Sequence, residues 1–245
     1  MPNIKTQKKK RKLFNRRQQI NKNRSRKIVR KLNVILDIDE TLLQMGSFED
    51  LHQLTKGPHN VKLLKNNYGL LVFLRPNVNE FLDYLFKNFN VGFWTNASTD
   101  IANDYLDALL TPKQKKQINL FIARDQEKNN YYDFLAKTNF KLHSQKRNVK
   151  KLSYLFNSPI YKGNFTSKNT LLIDDNPTHY AINRGKNVIF INEFHKLRYC
   201  DDTLRDIIVE LSKINKRKTV NLNQMKLPNY ASISTNFDSF NICFI

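Results

Sequence analysis

Two aspartates separated by one residue, Asp37 and Asp39, end the apolar run Val34-Ile35-Leu36, and a hydroxyl follows at Thr41. Carboxylates held this close repel, so a cation, a shared proton or both must compensate them. A second acidic pair, Asp174-Asp175, ends another apolar run, Thr170-Leu171-Leu172-Ile173. Between the pairs lie Thr95, which ends Val91-Gly92-Phe93-Trp94, and Lys150. The carboxylates of Asp37 and Asp175, with oxygens from backbone and water, suit Mg²⁺, a hard cation that prefers octahedral oxygen. Lysine supplies a compact charge and threonine a hydroxyl donor, both suited to phosphate oxygens. The set fits attack on a phosphate dianion. Asp37 would form an aspartyl phosphate, while Asp39 would protonate the departing oxygen and later take a proton from water. Taken singly, each piece has a plainer reading: loop acids cap helices, Thr95 suits a strand-end cap, Lys150 a solvated helix position, and Asp174-Asp175-Asn176-Pro177 a turn. Their shared placement at strand ends favours chemistry.

Those strand ends must be positioned by a sheet. Buried parallel strands read as near-continuous apolar runs, and open α/β sheets bind ligands at the carboxyl ends of their strands. The pattern predicts strands over 33–36, 91–94, 170–173 and 188–191, with 120–123 a further candidate. Residues 44–60 read as a polar loop or flap, and 61–64 with 70–74 as a hairpin closed by Arg75-Pro76. Helices are expected over 79–89, 99–110, 149–156 (carrying Lys150 near its start) and from 203 onward, where Asp201-Asp202-Thr203 can cap. Strands alternating with helices argue for a parallel α/β sheet, and right-handed crossovers place the strand ends on one edge. Trp94 is expected in the core. The histidines at 52, 59, 143, 179 and 195 lack paired metal spacing and read as core or exposed residues.

The chain of 245 residues has a formal charge of +21, unevenly spread. Residues 1–31 hold fourteen Lys or Arg and no acid, leaving 28 basic and 21 acidic residues beyond them. A like-charge block of this kind is expected to stay disordered and to contact a polyanion or an import receptor. Lys8-Lys9-Lys10-Arg11-Lys12 reads as a nuclear-import patch, with a mitochondrial presequence and a plain solvated tail as the alternatives. No run of 18 apolar residues exists, so no membrane span is expected. Cys200 and Cys243 have neither metal spacing nor a disulfide framework, which suits a reducing compartment. The organisation expected is a basic arm (1–31), an α/β domain (32–218) with an insertion at about 111–147, and a polar tail (219–245).

The motifs resemble the haloacid dehalogenase superfamily, and more closely its carboxy-terminal-domain (CTD) phosphatase branch, the small CTD phosphatases and their FCP/NLI-interacting-factor relatives. The resemblance spans about 32–212 and rests on Leu36-Asp37-Ile38-Asp39-Glu40-Thr41-Leu42, Leu74-Arg75-Pro76 with Glu80-Phe81-Leu82, Trp94-Thr95, Val149-Lys150-Lys151-Leu152, Ile173-Asp174-Asp175-Asn176-Pro177 and Asp202-Thr203-Leu204. It implies a HAD-like, Rossmann-like parallel sheet with helices on both faces, a small β insertion and no large cap. It further implies Asp37 as nucleophile, Asp39 as acid/base, and Thr95 and Lys150 as phosphate binders; Asn96, where the family usually has a small residue, is added as a candidate phosphate binder beside Thr95. Asp37, the Asp39 carbonyl and Asp175 would hold Mg²⁺, with Asp174 supporting Lys150 and the metal. The implied substrate is a phosphoserine or phosphothreonine protein, with the tail of RNA polymerase II as candidate. In relatives the segment matching 44–74 supplies an apolar substrate pocket, for which Phe73 and Leu71 are the candidate lining. The competing functions are a nucleic-acid 3′-phosphatase and a non-enzymatic HAD-like scaffold. Oligomeric state and host are not legible.

Overall fold

The computed structural model describes residues 31–53, 60–64, 70–125, 149–196 and 201–216, with Leu222 and Leu227. In chain order the strands are β1 (Asn33–Leu36), β2 (Leu43–Gly46), β3 (Asn60–Leu63), β4 (Leu71–Leu74), β5 (Asn90–Trp94), β6 (Leu120–Ile122), β7 (Thr170–Asp174) and β8 (Val188–Phe190). The helices are α1 (Phe48–Gln53), α2 (Val78–Asn88), α3 (Thr99–Leu109), α4 (Pro112–Lys115), α5 (Ser153–Asn157), α6 (Pro177–Ile182) and α7 (Thr203–Asn215).

Five strands make one parallel sheet in the order β6-β5-β1-β7-β8. The chain winds outward from β1 through β5 to β6, then crosses to the other side for β7 and β8. The order reverses at β1, and a crevice opens where the order reverses. Alternate side chains explain the layers. Val34 and Leu36 of β1 join Phe81, Leu85, Tyr105, Leu106, Ile207 and Leu211 on one face, which packs α2, α3 and α7. Ile35 points the other way, into a smaller cluster with Trp94, Tyr154, Leu155 and Phe165. The expected parallel sheet with helices on both faces is what the chain forms, and Trp94 is a core residue.

The polar stretch after β1 is more ordered than its composition suggests. Residues 44–60, read as a loop or flap, contribute β2 and α1, and β2 pairs antiparallel with β4, making a three-stranded sheet β2-β4-β3. Period-2 alternation in Leu43-Gln44-Met45-Gly46 is too short to stand out from loop composition. Residues 111–125, placed in the expected insertion, instead lie in the main layers. Thr111 caps α4 through a reciprocal pair with Gln114, and β6 joins the central sheet beside β5. Gly92 admits this neighbour, since a Cβ there would stand 2.7 Å from that of Leu120. The rest of that insertion (126–148), the arm (1–30) and most of the tail lie outside the described residues. No helix among the described residues is long and apolar enough to cross a membrane.

Candidate active site

The last rung of β1 sets the first acid. The Asp37 N–H still donates to the Ile173 carbonyl at 3.0 Å, so Asp37 leaves the sheet beside the end of β7. The chain then turns sharply: Leu42 N–H returns to the Ile38 carbonyl at 2.9 Å, and Glu40 takes a left-handed φ of 56°. The turn places Thr41 inside the protein, where its hydroxyl donates to Asp175 Oδ1 at 2.7 Å. The two acidic pairs are thereby tied directly.

Lys150 stands between them. Its Nζ lies 2.5 Å from Asp37 Oδ1 and 3.0 Å from Asp174 Oδ2, with the whole side chain sealed from solvent. Asp174 Oδ1 accepts the Asn176 N–H at 2.8 Å and meets His179 Nδ1 at 2.8 Å. Lys150 is not a helix residue as expected; α5 begins only at Ser153. Asn183, just past α6, holds that stretch in place of helical bonds. Its side-chain amide donates to the Lys150 carbonyl at 2.8 Å and its oxygen accepts the Leu152 N–H at 2.9 Å.

Burial, with Asp174 and Asp175 nearby, pushes the Asp37 carboxyl well above its usual range despite Lys150. Burial also raises Asp175, against the hydrogen bond from Thr41. Asp174 goes the other way: burial opposes ionisation, but Lys150 and His179 outweigh it. Burial likewise opposes the Lys150 charge, yet Asp174 and Asp37 raise it above the usual lysine value. The cluster is thus one lysine between two buried carboxylates, with the half-buried Asp175 beside them.

Asp39 belongs to a separate pair. Thr95 Oγ1 donates to Asp39 Oδ2 at 3.1 Å and accepts the Ala97 N–H at 3.0 Å. Asn96, half-buried, follows at the same edge. Burial and the Asp39 carboxylate raise the Tyr105 hydroxyl strongly, and that hydroxyl sits 3.8 Å from Met45 Sδ.

One atom each of Asp37, Asp174 and His179 lie within 4.8 Å of one another. His179 and two oxygens of Asp174 are already committed to the network above. The carboxyl groups of Asp37 and Asp175 are therefore the part that fits a hard divalent cation, because such an ion offsets the burial and the neighbouring negative charge that raise them.

Three residues that hold the site in place escaped the sequence reading. Arg75, read as closing a hairpin and as part of a family motif but given no site role, is fully buried and binds Asp201 Oδ2 at 2.9 Å, the Thr41 carbonyl at 3.1 Å and the Asn192 carbonyl at 3.0 Å. It braces the acidic turn against the loop after β8 and the start of α7. Asp201, rather than Asp202, accepts the Thr203 N–H there, at 2.9 Å. His179 and Asn183 had one available signal, their spacing on a short helix that begins beside Asp174-Asp175. The apolar pocket expected at Leu71 and Phe73 is closed: both are buried against Phe194, with Lys196 over the Phe73 ring. The loop after β8 fills the space.

The family described as NLI interacting factor-like phosphatase matches residues 32–221. CTD phosphatase-like protein 355R of Invertebrate iridescent virus 6 is 33% identical over 150 residues, covering 58% of this chain and 75% of that protein. Its namesake in Invertebrate iridescent virus 3 is 35% identical over 86 residues, covering 34% of this chain and 46% of that protein. Among solved structures, Fcp1, an essential RNA polymerase II CTD phosphatase, aligns with a TM-score of 0.46 at 15% identity, covering 80% of this chain and 58% of that one. A beryllium fluoride complex of fission yeast Fcp1 aligns with 0.44 at 14% identity, covering 75% of this chain and 50% of that one. This chain thus spans only about half the length of those solved chains. With a match running through every strand of the central sheet and both acidic pairs, the chain belongs to the NLI interacting factor-like phosphatase family.

Proposed function

We propose that the chain is a Mg²⁺-dependent phosphoserine/phosphothreonine protein phosphatase that works through an aspartyl phosphate on Asp37. The observation that carries this reading is the fully buried Lys150 ammonium, 2.5 Å from Asp37 Oδ1 and anchored by Asp174. With Oδ1 held by Lys150 and by the Ile38 N–H at 2.7 Å, the Asp37 carboxylate is oriented to attack through its other oxygen. A phosphate dianion meets strong repulsion from such a carboxylate, and Lys150, the Thr95 hydroxyl and the Asn96 amide offset it at the phosphate oxygens.

Asp37 Oδ2 bonds to phosphorus as the bond to the seryl or threonyl oxygen breaks. Asp39 gives its proton to that leaving oxygen. Asp39 then accepts a proton from the water that attacks phosphorus, releasing inorganic phosphate and restoring Asp37. Asp37, Asp175 and the Asp39 carbonyl would hold Mg²⁺, with Asp174 fixing Lys150 beside it. When bound, the cation supplies positive charge against the developing negative charge.

A phosphoprotein substrate, with the RNA polymerase II tail as first candidate, rests on the family and on what the Fcp1 structures are named for. The basic cluster at residues 8–12 supports nuclear import as the route to it. A phosphopeptide panel including polymerase-tail repeats, run beside a 3′-phosphorylated oligonucleotide at fixed salt, tests the substrate. The reading requires turnover of phosphopeptide that depends on Mg²⁺ and is abolished by Asp37→Asn. Preference for the oligonucleotide, or turnover surviving that substitution, refutes it.

A further inference from the structure

The family resemblance absorbs one edge of the central sheet and leaves the other unexplained. Because all five strands are parallel, their first residues share one edge, opposite the acids. The four positions before each of these strands together hold seven Lys or Arg and no Asp or Glu. Beyond the arm the chain is far less lopsided, with 28 basic residues against 21 acids. Lys31 precedes β1, Lys87 β5, Lys116 β6, Lys168 β7, and Arg184 with Lys186 precede β8; all six are exposed. Every strand is therefore preceded, within four residues, by an exposed cation.

Helix ends explain part of this. Lys31 and Lys87 lie at the C-terminal end of α2, where Lys31 Nζ donates to the Lys87 carbonyl at 3.0 Å, a placement the helix dipole favours. Lys168 follows a loop and has no such helix.

The edge is also braced by neutral amides. Asn33 donates to the Asn164 carbonyl at 2.8 Å, and Asn90 to Asn33 Oδ1 at 3.1 Å. Asn187 donates to the carbonyls of Ser167 and Thr170, both at 2.7 Å, tying the loop before β8 to the loop before β7. Lys168, Arg184 and Lys186 thus sit on loops already tied together by hydrogen bonds, so binding through them orders little new backbone. Five strands at about 4.8 Å spacing make a row of about 19 Å.

From this row we infer that the folded domain binds the phosphate backbone of nucleic acid along the N-terminal edge of its sheet, on the side away from the acids. The choice of nucleic acid over an acidic protein rests on two features. A polynucleotide carries dense, regular charge that a row of cations can follow. The described part of the edge also lacks the apolar centre of a protein interface: none of the exposed large apolar side chains (Met45, Phe48, Leu63, Ile160 and Val209) lies in these positions.

The test is fluorescence anisotropy of the full chain with a labelled 20-base-pair DNA duplex across a KCl series. Lys168→Gln/Arg184→Gln/Lys186→Gln removes three edge charges, and Lys8→Gln/Lys9→Gln/Lys10→Gln removes three from the arm as a matched control. The edge variant is expected to bind at least about tenfold more weakly at 150 mM salt. Its log–log salt slope should flatten by about 2.7, three charges at about 0.9 each. The charge-preserving Lys168→Arg/Lys186→Arg should bind like wild type, and all variants should keep full turnover on an aryl phosphate. An edge variant with wild-type affinity and slope, whatever the arm variant does, overturns the inference. So does an edge variant that loses binding to poly-glutamate but not to DNA.

Discussion

The two edges of the central sheet are built on opposite plans. The four positions after each parallel strand hold six acids and one arginine; the four positions before each hold seven bases and no acid. At the centre of the acidic edge, charge is buried: Lys150 bonds both Asp37 and Asp174 with almost no access to water. At the basic edge, charge stays in solvent and neutral asparagines make the internal bonds. A buried ion cluster contributes little net stability, because desolvation offsets attraction. A satisfied amide between backbone carbonyls costs less to bury and holds loops together. Under the proposed function, chemistry depends on one edge and folding on the other, and substitutions can separate the two.

The largest effect is expected at Lys150. Lys150→Met keeps the length of the side chain and removes the charge between Asp37 and Asp174. Turnover of an aryl phosphate should fall by about a hundredfold or more, read as kcat under saturating Mg²⁺. A loss confined to KM would instead make Lys150 a binding group alone.

Arg75 shows that buried charge near the acids can be purely structural. Arg75→Met strands Asp201 and the carbonyls of Thr41 and Asn192. Removing one partner of a buried pair costs about 3–5 kcal/mol, measurable as a lower urea midpoint. Stability changed by less than about 1 kcal/mol would mean that solvent reaches this cluster.

Two asparagines five residues or fewer apart sharpen the comparison further. The Asn187 side chain bonds two carbonyls at the basic edge, of Ser167 before β7 and of Thr170 at its start, while Asn183 clamps the backbone on either side of Lys151, including Lys150 itself. Asn187→Leu should cost about 1–3 kcal/mol of stability with kcat retained. Asn183→Leu should cost a similar amount and also lower kcat by about tenfold, since a small misplacement of a positioning group is expensive. Equal kcat in the two variants would break the division between the edges.

The sequence made most of this sheet legible because each parallel strand is an uninterrupted apolar run ending in polar chemistry. Asp37, Thr95 and Asp174 could be placed from that pattern alone. What it concealed was short or long-range. Leu43–Gly46 has only four residues in which to display alternation, and Pro112–Lys115 is a single capped turn. Arg75, His179 and Asn183 act across 126, 5 and 33 residues of sequence, through partners that only the fold brings near. The filled pocket at Phe73 depends on Phe194, which no local pattern connects to it.

The smallest expected effect concerns Asp37 and stability. Burial, aided by Asp174 and Asp175, raises its carboxyl in the folded state against the attraction of Lys150. The folded chain therefore holds this proton more tightly than the unfolded chain does, so stability falls as pH climbs from the unfolded value near 4 through the raised folded value. Above that the penalty is complete; below about pH 4 it vanishes. In chelator at pH 7.5, Asp37→Asn should raise Tm by about 2–8 °C, equivalent to about 1–2 kcal/mol, and the gain should disappear as pH approaches 4. Mg²⁺ should then raise the wild-type Tm and leave the variant almost unmoved, since the cation offsets a repulsion the variant no longer has. A variant less stable than wild type at pH 7.5 would mean that the Lys150 attraction outweighs burial, and the acidic edge would then help to hold the fold together.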